Sequence, residues 1–418
     1  MVQETEKEHE DILEQADETD AMFGELYSWY LRNPEYRSRV QKLVQSAFAG
    51  KPKDIISQSV AKALYGDVSP YSATRLERFA ACAFAHFLQY GMKLTERVEY
   101  EFKPMDMGNV MHEALESFAE EVRKRGMKWT ELTEQERNEI ADRCLDNIVA
   151  DYGNTVLKSS ARNEYMIERT RRILRRTVWA LQKQLEQGEF QPEGFEVTFG
   201  GGRIDRVDIM EDQNKVYVKV IDYKTGNTSF DLVYLYHGLQ LQLMIYLDGA
   251  LRVEQKKYPD KEIIPAGVFY YNIKDPMIQE KIDADVEAVS AGLMKELKMN
   301  GLVQADPELV YRMDSSLGSI PVAFNKDGSF RKNSSVADRT QFAVLGRYVR
   351  TKIEKIRSSI LEGDAEVSPY ELGKKNACTY CPYMTVCGFD RRLSGYEFRR
   401  LKNFSDEELW KAFDREAE

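Results

Sequence analysis

Residues 195–224, FEVTFGGGRIDRVDIMEDQNKVYVKVIDYK, decide the fold of this chain. The stretch predicts three consecutive strands, which span residues 195–199, 203–210 and 215–222. Alternation along the third strand puts Asp222 and Lys224 on one face of the sheet and Tyr223 on the other. We therefore expect an acid and a lysine to emerge together where a strand ends.

A second acid comes from the neighbouring strand. Asp205 belongs to the partner strand of the same hairpin, and antiparallel neighbours lie about 5 Å apart, so it can reach the end that carries Asp222. Asp208 is the rival acid, but it shares its parity with Arg206 and should face away from the site. Two carboxylates beside a lysine suit metal-dependent hydrolysis of phosphodiesters, because Mg²⁺ and Mn²⁺ take oxygen ligands.

The residues of this cluster have separate roles in such chemistry. Asp205 and Asp222 would hold the Mg²⁺ or Mn²⁺ ion, and the carbonyl oxygen of Tyr223 would add a ligand. Lys224 would orient or deprotonate the attacking water and offset negative charge at the phosphorus. His112, on an upstream helix, would complete the metal shell. A D-x-K triplet also arises by chance, and a histidine near an apolar helix face is usually a core or capping residue.

Composition and charge limit the class of protein. The chain has 418 residues, of which 43% are apolar, enough to bury the core of two to three domains. Its net charge of -10 argues against a polyanionic partner for the chain as a whole, but residues 169–176 and 391–402 are locally basic. The sequence contains no run of about 18 apolar residues and no secretory signal, which predicts a cytoplasmic protein without a membrane segment.

The order of elements predicts the fold class. Helices, the hairpin, a helix and a further strand follow one another, which favours an α/β fold with a mixed sheet flanked by helices over a doubly wound parallel sheet. Residues 72–92 predict one helix, and Cys82 lies within it. Residues 235–252 predict another, on which Gln242 and Tyr246 share a face. A hairpin is predicted at 320–330 and a helix at 336–361.

The cysteines predict a metal centre. Cys378, Cys381 and Cys387 have the spacing C-x2-C-x5-C, which in a cytosolic chain favours a metal over disulfides. Cys144 lies among apolar residues in a helix and is interpreted as a small core residue. Cys82, 296 positions before Cys378, is the better fourth ligand. Four-cysteine zinc and an iron-sulfur cluster both fit, and the spacing does not choose between them.

Taken together and in this order, the motifs resemble the C-terminal nuclease region of the AddB family. These proteins are the B subunits of bacterial ATP-dependent helicase/deoxyribonucleases, and their nuclease is of the RecB-like PD-(D/E)XK type. The resemblance extends from about Ser69 to Asp390. It rests on the motifs SATRLERFAACAFAHFLQYGM (72–92), GNVMH (108–112), GGRIDRVD (201–208), VIDYKTG (220–226), Gln242-x3-Tyr246 and NACTYCPYMTVCGFD (376–390).

The resemblance implies a restriction-endonuclease-like core and Mg²⁺-dependent exonucleolytic cleavage of DNA during repair of double-strand breaks. DNA and the helicase-nuclease subunit AddA are the implied partners. Carried over position by position, it implies metal ligands at His112, Asp205 and Asp222. It also implies a catalytic lysine at Lys224 and a substrate-side helix motif at Gln242 and Tyr246. It also implies a [4Fe-4S] cluster held by Cys82, Cys378, Cys381 and Cys387.

The sequence departs from the family pattern in two places. The usual Cys-Pro-Phe is Cys82-Ala83-Phe84 here, which loses a proline but keeps the ligand. A G-x4-G-K-[ST] phosphate loop is missing, so we expect cleavage without ATP hydrolysis by this chain. We expect three segments. Residues 1–68 would be a helical remnant of a helicase-like part, residues 69–395 the nuclease domain, and residues 396–418 a helical tail.

The alternative function is a non-catalytic scaffold that binds DNA or AddA and keeps a purely structural metal cluster. A broken active site would indicate such a scaffold, whereas every expected residue is present in this sequence.

Overall fold

The computed structural model describes residues 20–47, 55–66, 71–95, 104–151, 160–200, 202–278, 285–393 and 395–417. The chain divides into two compact units, one formed by Met1–Asp54 with Phe389–Glu397 and the other by Ile55–Gly388 with Phe398–Glu418. Residues 1–19 lie outside the described residues. The proposed boundary after residue 68 lies there too, so the three-segment division stays a prediction.

The N-terminal part of the first unit is helical where it is described. Helix α1 covers residues 20–32, and α2 covers Pro34–Ala47. The helical prediction for this part of the chain is therefore confirmed for the described residues. All of the candidate site residues belong to the second unit.

A six-stranded mixed sheet forms the centre of the second unit, as predicted. Its strands follow chain order across the sheet, with β3 and β4 parallel, β5 and β6 parallel, and the other neighbours antiparallel. The strands are β1 (Gln191–Phe199), β2 (Gly202–Asp212), β3 (Lys215–Lys224), β4 (Glu262–Asn272), β5 (Asn300–Gln304) and β6 (Val336–Ala337).

One face of the sheet packs against a layer of helices around a large apolar core. The alternation of β3 divides its side chains between the two faces, and Tyr217, Ile221 and Tyr223 point into this core. The helices of this layer are α6 (Pro104–Lys124), α7 (Glu134–Asp151), α8 (Ala161–Glu186), α11 (Val286–Glu296) and α12 (Pro307–Met313).

The other face packs against a second layer, to which β3 contributes Val216, Val218 and Val220. The opposite placement of the valines and of Tyr223 confirms the alternation predicted for this strand. The helices of the second layer are α3 (Gln58–Tyr65), α4 (Ala73–Ala81), α9 (Leu232–Tyr236), α10 (Gln242–Lys257), α13 (Arg339–Glu362) and α15 (Asp406–Ala417). Within the described ranges, none of the helices combines the length and apolar character needed to cross a bilayer.

The prediction of one continuous helix at 72–92 is wrong in one respect, because the helix is interrupted at Cys82. This residue has an extended backbone between α4 and the short helix α5 (Ala83–His86), which continues into a π-helical turn, Phe87–Gly91. The Phe84 N–H donates to the carbonyl oxygen of Glu366 at 2.9 Å, so a distant segment stabilises the break. Cys82 therefore lies in a kink between two helices.

Two other predicted elements also differ from the structure. The helix predicted at 235–252 is two helices, α9 and α10, because Gly238 adopts a left-handed conformation with φ of +79° and ends the first of them. The hairpin predicted at 320–330 contains only an isolated bridge between Phe324 and Phe330. The helix predicted from 336 begins at Arg339 instead, because residues 336–337 form β6 and Asp338 caps the helix.

A small sheet and the cysteine loop complete the second unit. Strands β7 (Tyr370–Leu372), β8 (Lys375–Asn376) and β9 (Arg399–Arg400) pair in the order β8-β7-β9. The short helix α14 (Met384–Cys387) lies in the loop between β8 and β9. Tyr383, just before α14, donates its hydroxyl hydrogen to the carbonyl oxygen of Leu94 at 3.0 Å, which ties the loop to the segment after the π-helical turn.

A buried ion network connects the two long central strands. Asp208 is fully buried and binds Arg206 Nε at 2.5 Å and Lys219 Nζ at 2.9 Å. The side chain of Asp208 therefore faces away from the site of Asp205, as its position in the alternation of the strand predicts. Removing one member of such a network leaves the others buried without a counter-charge, which typically costs about 3–5 kcal/mol.

We predict that Asp208→Asn lowers the free energy of unfolding by about 3 kcal/mol or more, because Arg206 and Lys219 would lose their shared counter-charge. Urea unfolding followed by circular dichroism measures this. Asp212→Asn is the matched control: its partner Arg312 lies at 2.6 Å, but the Asp212 side chain is 39% exposed, so we expect a loss of at most about 1 kcal/mol. Equal losses in the two variants would contradict the prediction.

Candidate functional site

Three carboxylates lie in a row across the first three strands. Arg206 pairs with Ile221, so the preceding residue, Asp205, lies opposite Asp222. On its other side, β2 pairs with β1 in a register that puts Glu196 opposite Asp205. The row lies near the end of β3 that carries Lys224. Sequence reasoning predicted the pair Asp205 and Asp222 but did not find Glu196.

Asp205 is buried and held by two groups. Its Oδ2 accepts a hydrogen bond of 2.7 Å from the backbone N–H of Tyr223 and lies 3.3 Å from Nδ1 of His112. The Tyr223 carbonyl oxygen, which the sequence suggested as a ligand, faces the same imidazole and lies 3.1 Å from its Nε2. Asp205, Tyr223 and His112 are therefore brought together as predicted from the sequence.

His112 reaches the strands from α6. Gly108, one turn earlier, faces Thr225, which follows β3 by one residue: a Cβ at Gly108 would lie 3.4 Å from Oγ1 of Thr225, an ordinary contact distance. Burial acts to lower the pKa of His112, but hydrogen bonds to Asp205 and Glu196 outweigh it and raise the pKa to about 10. The imidazolium thus supplies positive charge at the place where the carboxylates meet.

Glu196 has an unusual backbone. Its φ is +49°, in the left-handed region that non-glycine residues seldom adopt. The consequence is visible in its neighbours: Phe195 packs with the first core and Val197, two residues on, with the second, so the alternation of the strand reverses at this point. Its side chain is 6% exposed, 3.8 Å from His112 Nδ1, and is also paired with Arg203. Strained backbone of this kind is concentrated at functional sites.

Lys224 is fixed by two partners. Its Nζ lies 2.5 Å from Oδ2 of Asp222 and donates to Oε1 of Gln242 at 2.8 Å. Gln242 in turn donates to the hydroxyl oxygen of Tyr246 at 2.9 Å, so the i, i+4 pair predicted on one helical face is formed. Burial and the neighbouring Asp205 raise the pKa of Asp222 to about 7, against the opposing effect of Lys224.

A fourth acid stabilises this arrangement from the second helical layer. Glu77, on α4, accepts hydrogen bonds through Oε1 from the backbone N–H groups of Leu241 and Gln242, at 2.7 and 2.9 Å. It thereby caps the first turn of α10 and fixes the residue that holds Lys224. Burial raises the pKa of Glu77 to about 7. Sequence reasoning missed Glu77, since no local pattern reveals a cap supplied from so far away.

The donor set at this end of the sheet fits a divalent cation. His112, Glu196 and Asp205 each offer one ligand atom, and these atoms lie within 4.8 Å of one another. Asp222 follows in the same row. A set made mostly of carboxylate oxygens suits the hard ions Mg²⁺ and Mn²⁺. The neighbouring carboxylates raise the pKa of His112, and Asp205 adds to the effect of burial in raising the pKa of Asp222; a cation would neutralise this negative charge.

The cysteines form a second candidate metal site. The kink at Cys82 lies in an apolar cluster with Tyr383, against which Cys381 packs. Burial and the neighbouring Cys82, Cys381 and Cys387 raise the pKa of the Cys378 thiol to about 12, so the four cysteines lie near one another. Cys144, by contrast, is buried in α7 as part of the first core.

Comparison with known proteins agrees with this geometry. Residues 70–388 match the PD-(D/E)XK nuclease superfamily. The chain is 41% identical over 421 residues to a protein of Lachnoclostridium phytofermentans named as the B subunit of an ATP-dependent helicase/deoxyribonuclease, with 95% of this chain and 36% of that protein aligned. Identity to the protein of the same name from Thermoanaerobacter sp. is 34% over 425 residues, which cover 96% of this chain and 37% of that protein. The chain thus spans little more than a third of the length of these relatives.

We predict that Glu196→Gln weakens Mn²⁺ binding at least ten-fold, because it removes one charged oxygen donor from the row. Isothermal titration calorimetry with MnCl₂ measures this. Glu193→Gln is the matched control on the same strand, where Glu193 pairs with Lys257 at 2.8 Å, away from the row. If both variants bind Mn²⁺ like the parent, Glu196 is not a ligand.

Proposed function

The chain belongs to the PD-(D/E)XK nuclease superfamily, and we propose that it hydrolyses DNA phosphodiester bonds with the help of Mg²⁺ or Mn²⁺. The main support for this proposal is the row of Glu196, Asp205 and Asp222, which His112 and Lys224 join at one end of the sheet. Every group that the chemistry needs is therefore within one small region.

The ligands of the proposed cation are His112, Glu196, Asp205 and Asp222, with the carbonyl of Tyr223 beside them. A bound divalent cation polarises the phosphoryl oxygen and makes a water nucleophilic near neutral pH. For His112 to be a ligand, its imidazole must release a proton, because a nitrogen that coordinates a metal cannot carry hydrogen. Cation binding and deprotonation of His112 are thus coupled in this site.

Lys224 faces the reacting phosphate in this proposal. Its side chain is 28% exposed, so substrate can approach it, while Asp222 and Gln242 fix its direction. A positioned ammonium group offsets the charge that develops on the phosphoryl oxygens and orients the attacking water. Gln242 and Tyr246 border the site on the substrate side, and Arg203, whose side chain is 62% exposed, borders it near Glu196.

We propose further that the activity is exonucleolytic and serves the processing of double-strand ends in recombinational repair, with AddA as the partner subunit. The names of the relatives, which describe the B subunit of a helicase/deoxyribonuclease, support this assignment. A cytoplasmic location agrees with this role. The alternative of a non-catalytic scaffold is disfavoured by the complete set of reactive side chains and by their mutual contacts.

We predict that Lys224→Ala reduces Mg²⁺-dependent digestion of linear DNA by about 100-fold or more without loss of the fold, because one preorganised charge is removed. The assay follows end-labelled single- and double-stranded DNA, with a covalently closed circle to separate exonuclease from endonuclease action. Lys215→Ala, at the opposite and exposed end of β3, is the matched control and should retain full activity. A Lys224→Ala protein as active as the parent would refute the proposed role.

For the second metal site, we propose a [4Fe-4S] cluster held by Cys82, Cys378, Cys381 and Cys387. The motif shared with the AddB family and the nearness of the four thiols support the cluster, and a single Zn²⁺ is the alternative. Hydrolysis needs no electron transfer, so the role of the cluster is structural. It would join the kink after α4 to the loop that contains α14, two segments almost 300 residues apart in the chain.

We predict that anaerobically purified protein is brown and contains iron and acid-labile sulfide, and that Cys82→Ala loses both and becomes less stable, because one ligand of the cluster is gone. Metal and sulfide analysis together with thermal unfolding tests this. Cys144→Ala, which removes an equally buried thiol from α7, should keep its iron. A colourless preparation with zinc and no iron would show the alternative to be correct.

A further inference from the structure

Helix α8 carries a stripe of cationic and aromatic side chains. Its members are separated by three, four or seven residues, and such spacings put side chains on one face of an α-helix. We call this set the arginine stripe; it consists of Arg162, Tyr165, Arg169, Arg172, Arg176 and Trp179. At 1.5 Å per residue, the stripe is about 25 Å long.

The arginines of α8 differ in whether they pair with a carboxylate. Arg171 and Arg175, which lie off the stripe, are neutralised by α7: the first lies 2.7 Å from Asp146 and the second is paired with Asp142. Arg162, Arg169 and Arg176 form no ion pair with a carboxylate among the described residues. The positive charge of these three arginines is therefore available to a ligand.

A groove of about 730 Å³ runs along the stripe. Its other wall is α11, which contributes the apolar side chains of Val286, Val289 and Leu293. Tyr165 is 65% exposed at one end, and the guanidinium of Arg176 lies over the ring of Trp179 at 5.2 Å. Cationic groups interleaved with aromatic rings along a groove are typical of surfaces that bind single-stranded nucleic acid.

The stripe lies at the same end of the sheet as the candidate active site. Arg172 pairs with Asp275 at 2.6 Å. Two residues before Asp275, the N–H of Ile273 donates to the carbonyl oxygen of Lys224 at 2.7 Å. A chain segment of three residues therefore connects the stripe to the end of β3, where Lys224 and Asp222 emerge.

We propose that the arginine stripe binds the backbone of a single DNA strand beside the nuclease site. This inference rests on the proposed nuclease function and adds a substrate-binding surface to it. The arginines contact phosphates and Tyr165 stacks on a base, which gives binding without sequence preference. A duplex is less well matched, because its bases are stacked inside and cannot reach Tyr165.

The test is strand binding by the full 418-residue chain in EDTA, so that no cleavage occurs. Fluorescence anisotropy with a labelled 24-nucleotide oligo-dT compares the parent with Arg169→Gln/Arg176→Gln. We expect at least ten-fold weaker binding at 0.1 M salt. The slope of log K against log salt concentration should become shallower by about 1.4, because two phosphate contacts are lost at about 0.7 each for single strands.

Lys256→Gln/Arg347→Gln is the matched control. It removes the same charge from two exposed residues of α10 and α13, which cover the other face of the sheet and have no carboxylate partner within the described residues. We expect its affinity and salt slope to equal those of the parent. Equal loss in both double variants would mean that overall charge alone attracts DNA, and unchanged binding by Arg169→Gln/Arg176→Gln would also overturn the proposal.

Two further variants test the assignment to a single strand. Tyr165→Ala should weaken oligo-dT binding roughly ten-fold and leave the affinity for a duplex of equal length unchanged, while Tyr165→Phe should bind like the parent, since stacking needs only the ring. If Tyr165→Ala binds both forms like the parent, or weakens both equally, the single-strand assignment is wrong. If the arginine variant keeps DNA affinity but no longer co-purifies with the helicase subunit, the stripe is a protein interface and the proposal fails.

A failure of the stripe proposal can be distinguished from a failure of the proposed nuclease function. Lys224→Ala should bind oligo-dT like the parent, because it leaves the stripe intact. Stripe-dependent binding by a parent protein that does not cut DNA with Mg²⁺ would overturn the nuclease function alone. A parent that cuts DNA, with a stripe variant that binds and cuts equally well, would overturn the stripe alone.

Discussion

The structure depends on a repulsion that the fold itself creates. The registers of β1, β2 and β3 put three carboxylates in neighbouring positions about 5 Å apart. Two like charges at that distance repel by about 3 kcal/mol at an effective dielectric constant of 20. The chain offsets this with cations at the same place: His112 beside Asp205, Lys224 beside Asp222, and Arg203 beside Glu196. Burial first, and then the neighbouring Asp205, still raise the pKa of Asp222 to about 7.

Each compensating cation is positioned by a different layer of the fold. His112 comes from α6 in the first layer, one turn after Gly108, which faces Thr225. Lys224 is directed by Gln242 at the start of α10 in the second layer, and that start is capped by Glu77 of α4. The two layers pack on opposite faces of the sheet, and each contributes side chains to the site at the end of β3. The site therefore exists only when both layers have packed, which explains why its residues are so far apart in sequence.

Sequence patterns correctly predicted those contacts of the site that form within one hairpin or one helix. Alternation and hairpin register are enough to bring Asp205 to Asp222, and helical spacing is enough to join Gln242 to Tyr246. Glu196 was missed because its positive φ reverses the alternation on which such reasoning relies. The kink at Cys82 was missed because Ala83 replaces the proline that would have marked it, and a tertiary hydrogen bond to Glu366 stabilises the break instead. The metal ion and the iron-sulfur cluster stay predictions, since their identity depends on ligands outside the polypeptide.

The same electrostatics explain why substrate binding needs a surface of its own. A row of acids repels phosphate until a cation is bound, and the chain as a whole carries a net charge of -10. Unpaired positive charge must therefore be concentrated locally if DNA is to approach. Helix α8 directs Arg171 and Arg175 to the carboxylates of α7, while Arg162, Arg169 and Arg176 keep no carboxylate partner among the described residues. The pairing of Arg172 with Asp275 brings that charge beside the acids without touching them. In this proposal, strand binding and metal-dependent cleavage are carried by separate groups, each with the charge that its own ligand requires.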